Sequence, residues 1–178
     1  SQGAEIICFS GDKLFGGPKA GIIVGKEKYI SKLRKHQLLR AVRIDKMAAI
    51  ALEETVLLYL NGEAKDKIPV WQMIGYGKND IAHRANSLCN KLQKNGVAAE
   101  VTEGASTIGG GSLPEQTLPT WLIAIKPEIQ IEEFASCLRL GIPPVVGRIE
   151  NDTYLIDLRT VFHQQEEDLV RIILDNFK

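Results

Sequence analysis

The sequence is poor in cysteine: Cys8, Cys89 and Cys137 are odd in number and far apart. That argues against a disulfide framework and for a reducing, cytoplasmic compartment. Cys8 in a strand-like run and Cys89 at an apolar helical position both read as core residues. His36, His83 and His163 share no ligand spacing with the cysteines, so no metal site is expected. No apolar run approaches the roughly 18 residues of a membrane span. The opening SQGAEIICFS lacks a basic segment and a long apolar core, so no signal peptide is expected there. A strand begins within its first few residues, and the chain reads as a fragment of a longer protein. Net charge is also missing, with 22 basic and 22 acidic residues. The basic ones nevertheless crowd between Lys26 and Lys46. An anion site is expected in that segment, although a solvated helix face accounts for most of its lysines.

Glycine, by contrast, is concentrated. Residues 9–21 read FSGDKLFGGPKAG, between the apolar runs IICF and GIIVG. A phosphate-binding loop would need Gly-Lys-Ser/Thr opening a helix. Here Gly17 precedes Pro18 and the next segment is strand-like, so that reading is rejected. Two others remain open on the residues alone. One is a surface hairpin with an incidental lysine. The other is a Schiff-base lysine, Lys13, held on a rigid turn at a strand end. Ser10, Gly11, Gly16 and Gly17 are small enough to let a bulky cofactor approach the backbone.

Patterning places short buried strands at 5–9 and 20–25, a helix over 26–36, and a longer helix over 45–60 stopped by Asn61-Gly62. A domain break is expected between 62 and 69, giving domains of 1–62 and 66–178. Further helices are expected over 79–95, 131–140 and the C-terminus, the last with Val170, Ile173, Leu174 and Phe177 at helical spacing. Strands are expected over 97–102 and 121–125, with a hairpin over 145–158 turned at Asn151-Asp152. That order predicts a small antiparallel sheet with helices on one face. The loop 109–114 reads either as a linker or as a flap over a site mouth.

SGDKLFGGPKAGIIVG and HQLLRAVRIDKMAAIALEETVLLYL, with TIGGGSLPEQTLP and PPVVGRIENDTYLIDLRTV further on, resemble the bacterial L-seryl-tRNA selenium transferases, the selenocysteine synthases. The resemblance covers essentially the whole chain. It implies an α/β, fold-type-I, pyridoxal phosphate-dependent transferase, here the end of the large domain followed by an α+β small domain. It implies conversion of seryl-tRNA(Sec) to selenocysteinyl-tRNA(Sec) with selenophosphate, through a dehydroalanyl intermediate. It also implies a homo-oligomer, a ring of dimers, with no membrane partner. In that family the lysine of Ser-Gly-Asp-Lys holds the cofactor, so the role carries over to Lys13, with Ser10 beside the cofactor. Asp12 would assist proton movements, or simply cap the turn.

Arg40 and Arg43 lie three residues apart, which on a helical turn places them on one face. The resemblance makes them a clamp for selenophosphate. A salt bridge to Asp45 or Glu53 is the alternative. Arg148 is a further substrate-side candidate, whereas Arg159 reads as structural. Partners for the cofactor's ring and phosphate would lie upstream of this chain, so the chain alone is expected to be inactive. A related pyridoxal lyase acting on a phosphorylated amino acid or amino sugar, or a non-catalytic dimerisation module, are the other readings.

Overall fold

The computed structural model describes residues 3–109 and 113–177. The chain divides into two compact units, Ser1–Gly75 and Tyr76–Lys178. In the first, β1 (Ile6–Ser10) and β2 (Gly21–Gly25) form an antiparallel ribbon. Then come α1 (Glu27–Arg34), the single turn α2 (Leu39–Val42), α3 (Lys46–Leu60), α4 (Ala64–Lys67) and α5 (Pro69–Gly75). Asp45 starts α3 as expected: its carboxylate accepts the amide of Ala48 at 2.9 Å and so satisfies one of the free N-terminal donors. Gly62, at φ +75°, supplies the left-handed residue that ends α3.

Two expectations for this unit are corrected. The strands are not buried: Ile6, Ile7, Phe9, Ile23 and Val24 are 38–47% exposed, and Cys8 is exposed as well. A two-stranded ribbon has two faces, and it is marginal unless other layers cover them. The division between units also falls later than 62–69. The α4–α5 segment stays with the first unit because Ile68 is buried there and the Trp71 indole donates to the Tyr59 hydroxyl at 2.6 Å.

The second unit contains α6 (Lys78–Lys94), β3 (Ala99–Thr107), β4 (Thr117–Ile125), α7 (Ile131–Leu140), β5 (Arg148–Glu150), β6 (Thr153–Asp157) and α8 (Glu166–Asn176). Its sheet has the order β3-β4-β6-β5, antiparallel throughout. One core joins the helices to one sheet face, through Ile81, Leu88 and Leu92 of α6, Phe134 and Leu138 of α7, and Ile172 and Ile173 of α8. Leu122, Ala124 and Leu155 form a smaller cluster of their own. The Asn151-Asp152 turn has φ of 50° and 54°, the twist a two-residue hairpin needs.

Boundaries differ where tertiary bonds decide them. β3 runs on to Thr107 because β4 pairs with it along its whole length. The hairpin's first strand is short because the chain before it is held otherwise: the amide of Val145 donates to Leu138 O at 2.9 Å, and that of Gly147 to the Tyr154 hydroxyl at 2.6 Å. On α8 the buried face is Leu169, Ile172 and Ile173, with Val170, Leu174 and Phe177 at its margin.

Two arginines are buried and hydrogen-bonded. Arg84 donates to Glu166 (2.6 Å), Leu158 O (3.1 Å) and Val161 O (2.5 Å). Arg159 donates to Ser106 Oγ (3.0 Å), Tyr76 O (2.9 Å) and Pro119 O (2.8 Å). Its structural reading fits this geometry, and burial pushes its guanidinium pKa down, against the nearby Asp157.

Limited proteolysis should degrade the first unit first and leave a stable product close to 76–178. The exposed ribbon should also make the chain associate as its concentration rises. A protease-resistant monomer intact from residue 3 would contradict both expectations. Tyr154 gives a pH test. Burial raises its phenol pKa, while the Gly147 amide acts in the opposite direction. With the folded value above the unfolded one of about 10, the neutral phenol stabilises fully below pH ~10, and that stability is lost as pH rises through the folded value. Tyr154→Phe should cost about 1–3 kcal/mol near neutrality, by stranding the Gly147 amide. In urea titrations the gap to wild type should narrow above pH ~10. A gap that stays constant with pH would assign the difference to packing alone.

Candidate active site

The turn carrying Lys13 is built from backbone bonds that only small residues permit. The amide of Gly11 donates to Ala20 O, and that of Gly17 to Gly11 O, each at 2.8 Å. The amide of Gly16 donates to Lys13 O at 2.9 Å and closes the turn around the lysine. A Cβ on Gly11 would lie 2.6 Å from Pro18 O. Gly16 sits at φ +74°, where an added Cβ would collide with Ile68 Cγ2. These glycines are therefore required by sterics, and the run of breakers is a folded object rather than a loose hairpin.

A second layer fixes the turn from behind. The Tyr59 hydroxyl donates to Phe15 O at 2.8 Å and accepts the Trp71 indole N–H at 2.6 Å. Its ring stacks on Phe15 with centroids 4.9 Å apart and planes 13° apart. Thr55 is buried one turn earlier on α3, where its hydroxyl donates to Ala51 O at 2.8 Å. A Cβ on Gly17 would meet Thr55 Oγ1 at 3.1 Å. Sequence reading missed these supports. Their signal was present: Thr55 and Tyr59 are polar groups one turn apart in the otherwise apolar run TVLLYL.

Ser10, Asp12 and Lys13 are all exposed at this turn. Among the described residues none of their side chains has a hydrogen-bond or ion-pair partner, so the turn-capping role weighed for Asp12 is not formed. Gly21 pairs with Ser10 across the ribbon, and a Cβ there would meet no atom within 4 Å. Open space thus adjoins Ser10, at the root of the lysine turn.

Arg40 lies within α2, and Arg43 is its C-terminal cap, with its amide donating to Leu39 O at 3.0 Å. The φ of Arg43 is still helical at −65°, while its ψ of 142° turns the chain away. Its Cβ therefore follows the helical screw from Arg40, in a helix of one turn. Both arginines are exposed, and among the described residues neither has a partner. The alternative bridge to Asp45 or Glu53 is absent; Asp45 is occupied at the α3 cap.

Arg148 lies in the other unit, on β5, and is exposed there. It donates to Ala105 O at 3.2 Å and lies 3.6 Å from Glu150. Of the 109–114 loop, residues 110–112 lie outside the described residues. No helix among the described residues is long and apolar enough to cross a membrane.

Comparison with known proteins agrees with this layout. The family L-seryl-tRNA selenium transferase matches residues 1–162. The L-seryl-tRNA(Sec) selenium transferase of Carboxydothermus hydrogenoformans is 41% identical over 176 residues, covering 97% of this chain and 38% of the relative. That of Maridesulfovibrio salexigens is 43% identical over 171 residues, covering 93% and 37%. That of Clostridium botulinum strain 657 is 42% identical over 181 residues, covering 99% and 38%. Among solved structures, a D-glucosaminate-6-phosphate ammonia-lyase matches 98% of this chain and 45% of its own, with a TM-score of 0.60 at 17% identity. That likeness bears on the fold alone, and the α/β, fold-type-I expectation stands with it. The chain spans about 38% of the length of the curated relatives it matches. On the match over residues 1–162, the chain belongs to the L-seryl-tRNA selenium transferase family.

Proposed function

We propose that this chain is the lysine-bearing portion of a pyridoxal phosphate-dependent enzyme that makes selenocysteinyl-tRNA(Sec) from seryl-tRNA(Sec) and selenophosphate. The observation that carries the reading is the family match running through the lysine turn. The residues present fit the cofactor. Lys13 offers an exposed amine without a partner among the described residues, on a turn clamped by Tyr59 and Trp71. The open space at Gly21 leaves room beside Ser10. Lys13 would hold the cofactor and Ser10 would flank it, while donors to its phosphate and ring nitrogen would come from the rest of a relative-length polypeptide. When bound, the cofactor supplies an electron sink for charge developing at the serine α-carbon.

The chain's own groups then have distinct tasks. Lys13 Nζ accepts the α-proton of the serine, a task that needs the amine held in one place. Asp12, adjacent and without a partner among the described residues, assists proton movement at the departing hydroxyl. Arg40 and Arg43 present planar guanidiniums to the tetrahedral anion of selenophosphate. Two neighbouring cations repel unless an anion lies between them, and the structure offers them no acidic partner among the described residues. Arg148 serves the substrate side, exchanging its bonds to Ala105 O and Glu150 for the substrate. The reading carries with it a cytoplasmic homo-oligomer, in keeping with the exposed apolar side chains of the first unit. A lyase acting on a phosphorylated amino sugar has only the fold likeness behind it, and at 17% identity that does not reach substrate.

Two experiments on a polypeptide of the relatives' full length test this. Borohydride reduction with pyridoxal phosphate should fix the cofactor to Lys13, read by peptide mass, and Lys13→Ala should abolish the adduct. Stoichiometric fixation at another lysine would overturn the assignment. Arg40→Lys and Arg43→Lys should each raise the KM for selenophosphate, or for thiophosphate in its place, by about ten-fold, the loss of about one charge-assisted hydrogen bond. Binding of seryl-tRNA and cofactor fixation should stay near wild type. Unchanged use of selenophosphate, or failure at the tRNA step instead, would refute the clamp.

A further inference from the structure

The function just proposed leaves α1 unused, yet α1 carries an ordered charge pattern. Between Glu27 and Asp45 the sequence has no acidic residue. With basic and acidic residues balanced over the whole chain, the remainder is left net negative. Lys28 and Lys32 lie on α1 and Lys35 caps its C-terminus in helical conformation. At i, i+4 and i+7 they fall within an arc of about 60° on the helix. Tyr29, Ile30 and Leu33 occupy the opposite side, with Tyr29 and Ile30 half-buried and the Tyr29 hydroxyl donating to Glu5 at 2.7 Å. The helix is thereby moored by one face; Lys32 and Lys35 are exposed on the other, while Lys28, also exposed, pairs with Glu5 and lies 4.5 Å from the Tyr29 ring centroid.

Internal needs do not account for the stripe. The helix dipole favours Lys32 and Arg34 in the last turn but disfavours a cation at Lys28 in the first. Only Lys28 has an acidic partner, Glu5 at 3.2 Å; among the described residues Lys32 and Lys35 have none. Like charges one turn apart repel, and among the described residues no internal anion relieves the repulsion between Lys32 and Lys35. The stripe does not suit a small anion, which needs convergent, preorganised donors of the kind Arg40 and Arg43 offer. Long, separated, hydrated point charges suit a phosphate backbone. The one aromatic ring beside the stripe, Tyr29, is already engaged, through its hydroxyl with Glu5 and through its face with the Lys28 ammonium. On the apolar side of α1, Tyr29 and Ile30 are half-buried, so Leu33, 41% exposed, is the one apolar side chain of the helix left to enter a lipid layer.

We propose that the Lys28–Lys32–Lys35 face of α1 is a docking surface for the phosphate backbone of the tRNA substrate, separate from the lysine turn. This rests on the reading of the protein as a tRNA-dependent enzyme. The surface positions the nucleic acid without reading its sequence.

The test compares the full-length protein with two triple variants, Lys28→Gln/Lys32→Gln/Lys35→Gln and the charge-keeping Lys28→Arg/Lys32→Arg/Lys35→Arg. Binding of unacylated tRNA is followed by fluorescence anisotropy over a salt series. The glutamine variant should weaken binding by ten-fold or more at low salt. It should also flatten the slope of log K against log salt by about two to three, at roughly 0.7–0.9 for each phosphate no longer neutralised. The arginine variant should restore both. In turnover assays the KM for seryl-tRNA should rise, while kcat and the KM for selenophosphate stay unchanged. A glutamine variant with wild-type affinity and slope would overturn the surface and leave the function intact. A wild-type protein without salt-dependent tRNA binding would overturn the function and the surface with it. Loss of binding to vesicles of equal parts phosphatidylglycerol and phosphatidylcholine, with tRNA affinity unchanged, would assign the stripe to membranes and also overturn the proposal.

Discussion

The hydroxyl of Tyr59 joins the lysine turn of the first unit to α5. It donates to the carbonyl of Phe15 in the lysine turn and accepts from the indole of Trp71 on α5. A hydroxyl has one proton and two lone pairs, so both roles are filled at once. The turn's own backbone bonds are short-range, and packing from behind adds to the order they give. Here a long helix supplies the reference frame, an aromatic stack fixes the direction, and Ile68 closes the space in which Gly16 must lack a side chain. This also explains why α4 and α5 belong to the first unit although the sequence breaks at Asn61-Gly62. A helix stop marks the end of a helix, not the end of a packing unit.

What the sequence revealed and what it hid divide along physical lines. Helices with one apolar stripe were legible, and the 131–140 helix is found with its expected ends, because the 3.6-residue period reports burial on one side. The strands of the ribbon were legible as strands but not as exposed ones. An apolar run of five residues looks the same whether or not other layers cover it, and among the described residues none covers this ribbon enough to bury it. Cys8 was misread for the same reason. The ends of β3 and β5 were hidden because distant partners set them, the β4 ladder in one case and the Tyr154 hydroxyl in the other.

The candidate site was legible to a different degree. Glycine and proline marked the turn, but residue types alone left an incidental lysine open; the choice came from the family's motif. The steric reason for Gly11 and Gly16 became visible only with Pro18 O and Ile68 placed against them. Tyr59 could have been found by asking why a polar ring stands in an apolar helix, since a buried hydroxyl without a partner is costly.

The arginines show how far geometry separates roles that sequence leaves alike. Arg84 and Arg159 are buried, and the bonds of each include two carbonyl oxygens and a polar side chain. A guanidinium in that setting is a structural cross-link, because moving it would strand several buried acceptors. Arg40 and Arg43 are the opposite case: exposed, one helical turn apart, and with their nearest sequence acid, Asp45, already engaged by the start of α3. As a helix cap Asp45 keeps its negative charge, yet it forms no ion pair with either arginine. It orders the start of α3 behind the lysine turn and lies in sequence beside the arginine pair. The same residue links the rigidity of the turn to the charge beside it, so a change at Asp45 would act on both.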